Sequence, residues 1–304
     1  MEERGQRLSR IVSHAPQAHG ARLVKGIRLS DTAFCRLQSA AAIYVWHSLS
    51  QGNPDRSFVL SNCVLEEYSA DVLALPNRTP NGLLLPRRET FLSFNLVQQA
   101  LTAALVDLGL DAPFESVQSP CNVRIVSGAA SADDNRPYAA SKIHTDIWYG
   151  EPLRSILFNL PLLGDPAAVA MDFLEPDDFP IALRRVLPDY NDGREISARA
   201  ARLPMRFDLG VLYVSDSLSL HQTMRRGPGI RLSLDWRAIP RERLDGEADE
   251  VITSRAIYVP AETWREGGAT LVFADGDPID GFQRRARGEQ VTPAEIKVVP
   301  IEAA

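Results

Sequence analysis

The chain has 304 residues, 45% of them hydrophobic and 24% charged, which is an ordinary globular composition with enough apolar mass for a large core. A net charge of −6 offers no global attraction to nucleic acid or to an anionic membrane, and the excess of 30 Arg over 3 Lys reads as base composition rather than as a binding device. No run approaches the roughly 20 apolar residues of a membrane span. The polar first 22 residues lack an apolar signal segment, and the three scattered cysteines, Cys35, Cys63 and Cys121, have no zinc spacing; a cytoplasmic protein with reduced, mostly buried thiols is expected.

Taken in chain order, residues 1–29 read as a loosely held, mixed-charge arm. Ser30 and Asp31 are a cap for a helix running to about Leu49, which the Gly-Asn-Pro at 52–54 terminates. Residues 77–86 are rich in turn formers, and a second helix is predicted over 89–108 from the spacing of Phe91, Phe94, Leu101, Leu105 and Leu108. Strands are then predicted at 122–127, 143–148, 154–160, 168–174, 211–216 and 230–236, with shorter ones at 255–259 and 270–273. Residues 283–290 read as a charged, solvated segment. Many short strands separated by turns argue for a sandwich or barrel rather than a doubly wound α/β sheet. One domain is expected over 30–304: a helical flank at 30–110, a β core at about 121–237 and a C-terminal extension at 238–304.

Four residues carry the chemistry. His144 and Asp146 lie two apart in SKIHTDIWYGEP (141–152), so on an extended strand both side chains leave one face and can hold one ion. Alone the pair is weak: 5 His and 22 Asp in 304 residues give one such pair in about a third of chains. His221, expected at the far end of a strand spanning 210–220, supplies a third ligand type, and two histidines with one carboxylate are the protein ligands of a mononuclear ferrous site with open positions. Ten residues on, the alternation of IRLSLDW (230–236) sets Arg231, Ser233 and Asp235 on one face and Ile230, Leu232, Leu234 and Trp236 on the other. A guanidinium beside a serine hydroxyl is a receptor for a carboxylate; the alternative is an ordinary ion pair between Arg231 and Asp235.

His144-x-Asp146, His221 and Arg231-x-Ser233 together resemble the Fe(II)/2-oxoglutarate-dependent dioxygenases of the phytanoyl-CoA-hydroxylase-like branch, over roughly residues 122–237. The resemblance implies a mainly β fold, a double-stranded β-helix (jelly-roll or cupin barrel), with the N-terminal helices packed outside. It further implies His144, Asp146 and His221 as catalytic iron ligands, and Arg231, helped by Ser233, as the residue that binds the distal carboxylate of 2-oxoglutarate; O2 is the third reactant. The carboxylate ligand, Asp146, disfavours halogenation, since halogenating members carry a small residue there.

Other residues are weaker candidates. Asn159, polar in an apolar run, and Asn122 are placed for cosubstrate contact, and Arg124 for substrate or for a structural ion pair. Trp148 either roofs the iron pocket or fills the barrel mouth; Tyr213 and Gln222 flank the distal ligand. Three readings are distinguished: an oxygenase coupling decarboxylation of 2-oxoglutarate to C–H oxidation of a small polar metabolite, as in natural-product biosynthesis; a cupin-type metalloenzyme without that cosubstrate, an isomerase or cosubstrate-free dioxygenase; and a metal-free jelly-roll scaffold. The first leads. No nucleic-acid or membrane partner is expected, because no basic stripe interleaved with aromatics is present.

Overall fold

The computed structural model describes residues 1–15, 19–87, 89–129, 135–245, 247, 254, 256–267, 270–273 and 296–299. Residues 283–290 lie outside these. The helices are α1 (Glu2–Ile11), α2 (Asp31–Gly52), α3 (Val64–Glu67), α4 (Ser69–Ala74), α5 (Phe91–Asp107), α6 (Arg194–Arg199) and α7 (Ala261–Gly267). The strands are β1 (His19–Gly20), β2 (Val24–Arg28), β3 (Phe114–Gln118), β4 (Asn122–Ser127), β5 (Ile156–Gly164), β6 (Val169–Glu175), β7 (Ala201–Arg202), β8 (Val211–Asp216), β9 (Leu220–Arg225), β10 (Ile230–Pro240), β11 (Tyr258–Pro260), β12 (Thr270–Phe273) and β13 (Ile296–Val299). No described helix is long and apolar enough to cross a membrane.

Two antiparallel sheets build the centre. The larger runs β1-β2-β8-β5-β10-β3-β11, with β4 paired to residues 230–235 of β10 and β3 to its end. The smaller runs β7-β6-β9 and is continued by His144, whose backbone exchanges hydrogen bonds with His221 at 2.8 and 3.0 Å. Between β4 and β10 the chain visits the sheets in the order large, small, large, small, small, large, small, large. That winding gives β4-β10-β5-β8 facing His144-β9-β6-β7, the strand arrangement of an eight-stranded jelly roll. Strand pairing does not run from one sheet into the other among the described residues.

The outer face of the large sheet carries the main core. Ile125, Phe158, Leu160, Leu232, Leu234 and Trp236 join Leu37, Tyr44 and Val45 of α2 and Phe94, Leu101 and Leu105 of α5 in one buried cluster. Phe158 and Trp236 stack at 4.9 Å, and each such ring withdrawn from water contributes about 1.5–3 kcal/mol. α2 starts as the sequence predicts, with the Ser30 hydroxyl accepting from the Ala33 N–H. The helices therefore pack on the outside of the β core, as expected.

Three expectations are corrected. Residues 1–29 are no loose arm: β2 pairs with β8, and α1 buries Leu8, Ile11 and Val12 in the main core. Two of its arginines mislead because they are buried too: Arg4 pairs with Asp216 at 2.7 Å and Glu247 at 2.8 Å, and Arg7 with Glu247 at 2.7 Å. The predicted strand through 210–220 is broken at 217–219, where Asp216 accepts from the Leu218 N–H and turns the chain, so His221 lies near the start of β9 in the opposite sheet. Only Cys121 is buried; Cys35 and Cys63 are exposed.

Candidate metal centre and its pocket

His144 and Asp146 do not share a strand face. His144 forms a single bridge to His221, and Asp146 opens a 3-10 turn (Asp146–Tyr149) that Gly150 ends at φ 103°, a conformation suited to glycine. The turn still returns the carboxylate to the imidazole, because Thr145 between them donates its hydroxyl to the Ser217 carbonyl and pins the segment to the β8–β9 turn. One ligand atom from each of His144, Asp146 and His221 lies within 4.8 Å of the others, and Asp146 Oδ1 is 3.6 Å from His221 Nε2. Ligands about 2.1 Å from one ion at right angles stand about 3 Å apart, so small side-chain adjustments close the set. All three are buried.

The protonation states suit ligation. Burial, then the neighbouring His221, pushes the His144 imidazole down to about 3, and burial lowers His221 as well. Both are neutral near pH 7. The His144 Nδ1–H donates to the Lys142 carbonyl at 2.7 Å, which leaves Nε2 as the free lone pair, and Tyr190 stacks on the ring at 4.2 Å. Burial pushes Asp146 up, but Arg237 and the two histidines outweigh it and hold the carboxylate well below its usual range.

A cavity of about 240 Å³ opens on this cluster between the sheets. Its polar wall is built by Gln118, Asn122, Arg124, Asn159, Asp235 and Arg237, and its other side by Tyr138, Tyr149 and Tyr190. Glu151 also lines it, accepting from the Tyr258 hydroxyl at 2.6 Å, with its carboxyl pushed up by burial. Asp235 organises the polar wall. It accepts from Arg124 at 2.7 and 3.2 Å, from Asn122 Nδ2 at 2.8 Å and from Arg237 Nη1 at 3.1 Å.

Arg231 and Ser233 lie on the same inward face of β10 but deeper, outside the cavity lining. Arg231 is fully buried; its Nη1 donates to the Val169 carbonyl at 2.8 Å and its guanidinium sits 4.7 Å over the Phe207 ring. Among the described residues its Nε and Nη2 have no hydrogen-bond partner, nor do the Ser233 hydroxyl and the Asn159 carbonyl oxygen. Burial, with Arg124 adding repulsion, lowers this guanidinium to about 9. The alternative pair with Asp235 does not form; Asp235 is taken by Arg124 and Arg237 instead.

The weaker candidates divide. Asn159 lines the cavity with its carbonyl oxygen unpartnered. Asn122 and Arg124 also line it, yet their donors are held by Asp235 and, for Arg124 Nη1, by the Asn81 carbonyl, so they form the wall structure rather than free contacts. Trp148 neither roofs nor lines the pocket: the 3-10 turn rotates it outward, its Nε1–H donates to the Leu183 carbonyl at 3.0 Å, and Gly193 leaves room for the ring where a Cβ would lie 2.0 Å from it. Tyr213 packs between Phe173 and Phe207, with its hydroxyl on the Arg206 carbonyl and the Asp208 N–H. Gln222 sits between His221 and Thr223, both of which line the cavity, so strand alternation turns it to the opposite face.

Sequence reasoning missed Arg237, whose Nε donates to Asp146 Oδ2 at 2.9 Å. The signal was present: Arg231, Ser233, Asp235 and Arg237 continue one alternation, and the predicted strand stops one residue short. Tyr190 and Glu151 carried no such signal, because loops and a turn bring them in.

No protein-family model matches the chain, and no curated protein matches it. Among solved structures, it is similar to the non-haem alpha-ketoglutarate-dependent carbocyclase SnoK from nogalamycin biosynthesis, at 9% identity and TM-score 0.41 over 85% of this chain and 96% of that one. It is similar to AviO1 from Streptomyces viridochromogenes Tue57 at 14% identity and TM-score 0.38, over 80% and 98%. EctD from S. alaskensis, solved with 2-oxoglutarate and 5-hydroxyectoine, gives 15% identity and TM-score 0.39 over 76% and 77%.

Proposed function

We propose that this chain is an Fe(II)/2-oxoglutarate-dependent oxygenase that couples decarboxylation of the oxo acid to succinate and CO2 with C–H oxidation of a small polar metabolite. The observation that carries the reading is the pairing of two buried features: a cluster of two neutral histidines and one ionised carboxylate, and a fully buried guanidinium without a counter-ion. A charge removed from water costs several kcal/mol unless it is paired. Of the three inward arginines that could meet an anion, Arg124 and Arg237 are neutralised by Asp235 and Asp146. Arg231 has no carboxylate partner among the described residues, and its orphaned donors stand beside the orphaned Ser233 hydroxyl. That pair fits the far carboxylate of a diacid.

The donor set fits ferrous iron, since imidazole nitrogen and carboxylate oxygen on one side leave positions open opposite. When bound, the iron and the oxo acid supply the oxidising chemistry; the protein's part is to place and isolate them. His144, Asp146 and His221 would hold the ion, and the Lys142 carbonyl would keep the His144 ring oriented. Arg231 and Ser233 would fix the cosubstrate's distal end, with Asn159 adding a polar contact along the cavity wall. The tyrosine side and Glu151 are left for substrate. The 240 Å³ of space suits a cosubstrate with a small molecule, or with the reacting end of a larger one.

Anaerobic addition of Fe(II) and then 2-oxoglutarate tests this. A weak visible charge-transfer band should arise only with both present and be absent in His221→Ala and Arg231→Ala. A band in Arg231→Ala at the same 2-oxoglutarate concentration would remove that residue's role; no band in the unaltered protein would remove the proposal.

A further inference from the structure

The two oxygens of Asp146 have different neighbours. Oδ1 faces His221 Nε2 at 3.6 Å, inside the ligand cluster, whereas Oδ2 accepts from Arg237 Nε at 2.9 Å on the other side. Arg237 is itself fixed at several points. Its backbone N–H donates to Gln118 Oε1 at 3.1 Å and its Nη1 to Asp235 Oδ1 at 3.1 Å, and Asp235 is anchored in turn by Arg124 and Asn122. The Arg237 side chain is only 12% exposed, so water does little to loosen the pair. A carboxylate with both oxygens free can occupy two positions on a cation; one with an oxygen committed elsewhere occupies one.

We infer that Arg237 is a positioning residue that restricts Asp146 to ligation through Oδ1 and so preserves an open metal position for the chelating oxo acid. The inference rests on the reading of His144, Asp146 and His221 as the metal ligands. It separates two arginines on one strand face: Arg231 meets the cosubstrate, and Arg237 controls how many positions remain for it. A merely structural ion pair would instead change stability and leave coordination untouched.

Mn(II) replaces iron as the probe, and its exchangeable water ligands are counted from electron-spin line broadening in isotopically enriched water. The unaltered protein should load one equivalent, and His144→Ala should not; a failure of the unaltered protein to load Mn(II) or Fe(II) overturns the site reading and this inference together. Arg237→Met and Arg237→Lys, both loaded, should each show one fewer exchangeable water and bind 2-oxoglutarate about tenfold to a hundredfold more weakly. Lysine keeps the charge but not the Nε–H, so a wild-type water count in Arg237→Lys overturns the inference while the ligand assignment stands. Should Arg237→Met not fold, the lysine variant decides alone.

Discussion

The two faces of β10 follow the same backbone and have opposite character. Outward, Ile230, Leu232, Leu234 and Trp236 join the apolar cluster beneath α2 and α5. Inward, Arg231, Ser233 and Asp235 are buried and Arg237 nearly so, yet they form an ion network with one gap in it. The outer face has no need of a ligand: its four side chains pack in the apolar cluster, although the Trp236 Nε1–H is without a partner among the described residues. On the inner face the Arg231 Nε and Nη2 and the Ser233 hydroxyl lack partners among the described residues. Stability is concentrated on one side and binding on the other, and each can be disturbed separately.

Removal of a ligand is the most drastic change. His144→Ala should abolish metal-dependent turnover while the far-ultraviolet spectrum stays native; retained activity would disprove the ligand assignment. On the outer face, Trp236→Ala should cost about 3–5 kcal/mol in denaturant unfolding through a large cavity. Arg231→Met should do the opposite on the inner face. Without its anion the buried guanidinium is unpaired, so the variant should match or exceed wild-type stability while losing about 2–5 kcal/mol of 2-oxoglutarate binding. A clear loss of thermal stability in Arg231→Met would mean that the charge is satisfied within the fold.

Acid should discriminate next. His144 is held at about 3 in the fold against 6.5 ordinarily, and His221 is lowered in the same direction. Below pH 6.5 the unfolded chain takes up protons that the folded one refuses, so stability falls as pH drops toward about 3. The slope is up to about 1.4 kcal/mol per pH unit for each histidine. Asp146, lowered by its cationic neighbours, adds to the loss once the pH passes below the ordinary carboxylate range. Urea midpoints measured between pH 7 and 4 check this, and the His144→Ala variant should show a shallower fall. The smallest effect belongs to Ser233→Ala, with stability within about 1 kcal/mol of wild type, since its hydroxyl has no partner to lose, and a modestly raised 2-oxoglutarate requirement.

The strands at 122–127 and 211–216 and both long helices were legible, because alternation, helical spacing and a serine cap are local signals. The residue types of the site were legible for the same reason: histidine, aspartate and arginine at those spacings have few other uses together. The segment around His144 was misread as a strand because two residues of separation is also compatible with a turn, and only the hydrogen bonds to His221 and Ser217 distinguish them. α1 was passed over since paired arginines look solvent-seeking until their partners, 212 and more residues away, are known.

By itself, then, the amino-acid order determined which side chains alternate toward the interior and which chemistry they can perform, since both depend on neighbours a few positions apart. Tertiary structure decided which of the inward arginines is left without a counter-ion among the described residues, and that Asp146 offers one oxygen to the cluster and the other to Arg237. Those outcomes depend on strands from two sheets meeting in a buried interior, where an unpaired charge costs far more than it would in water.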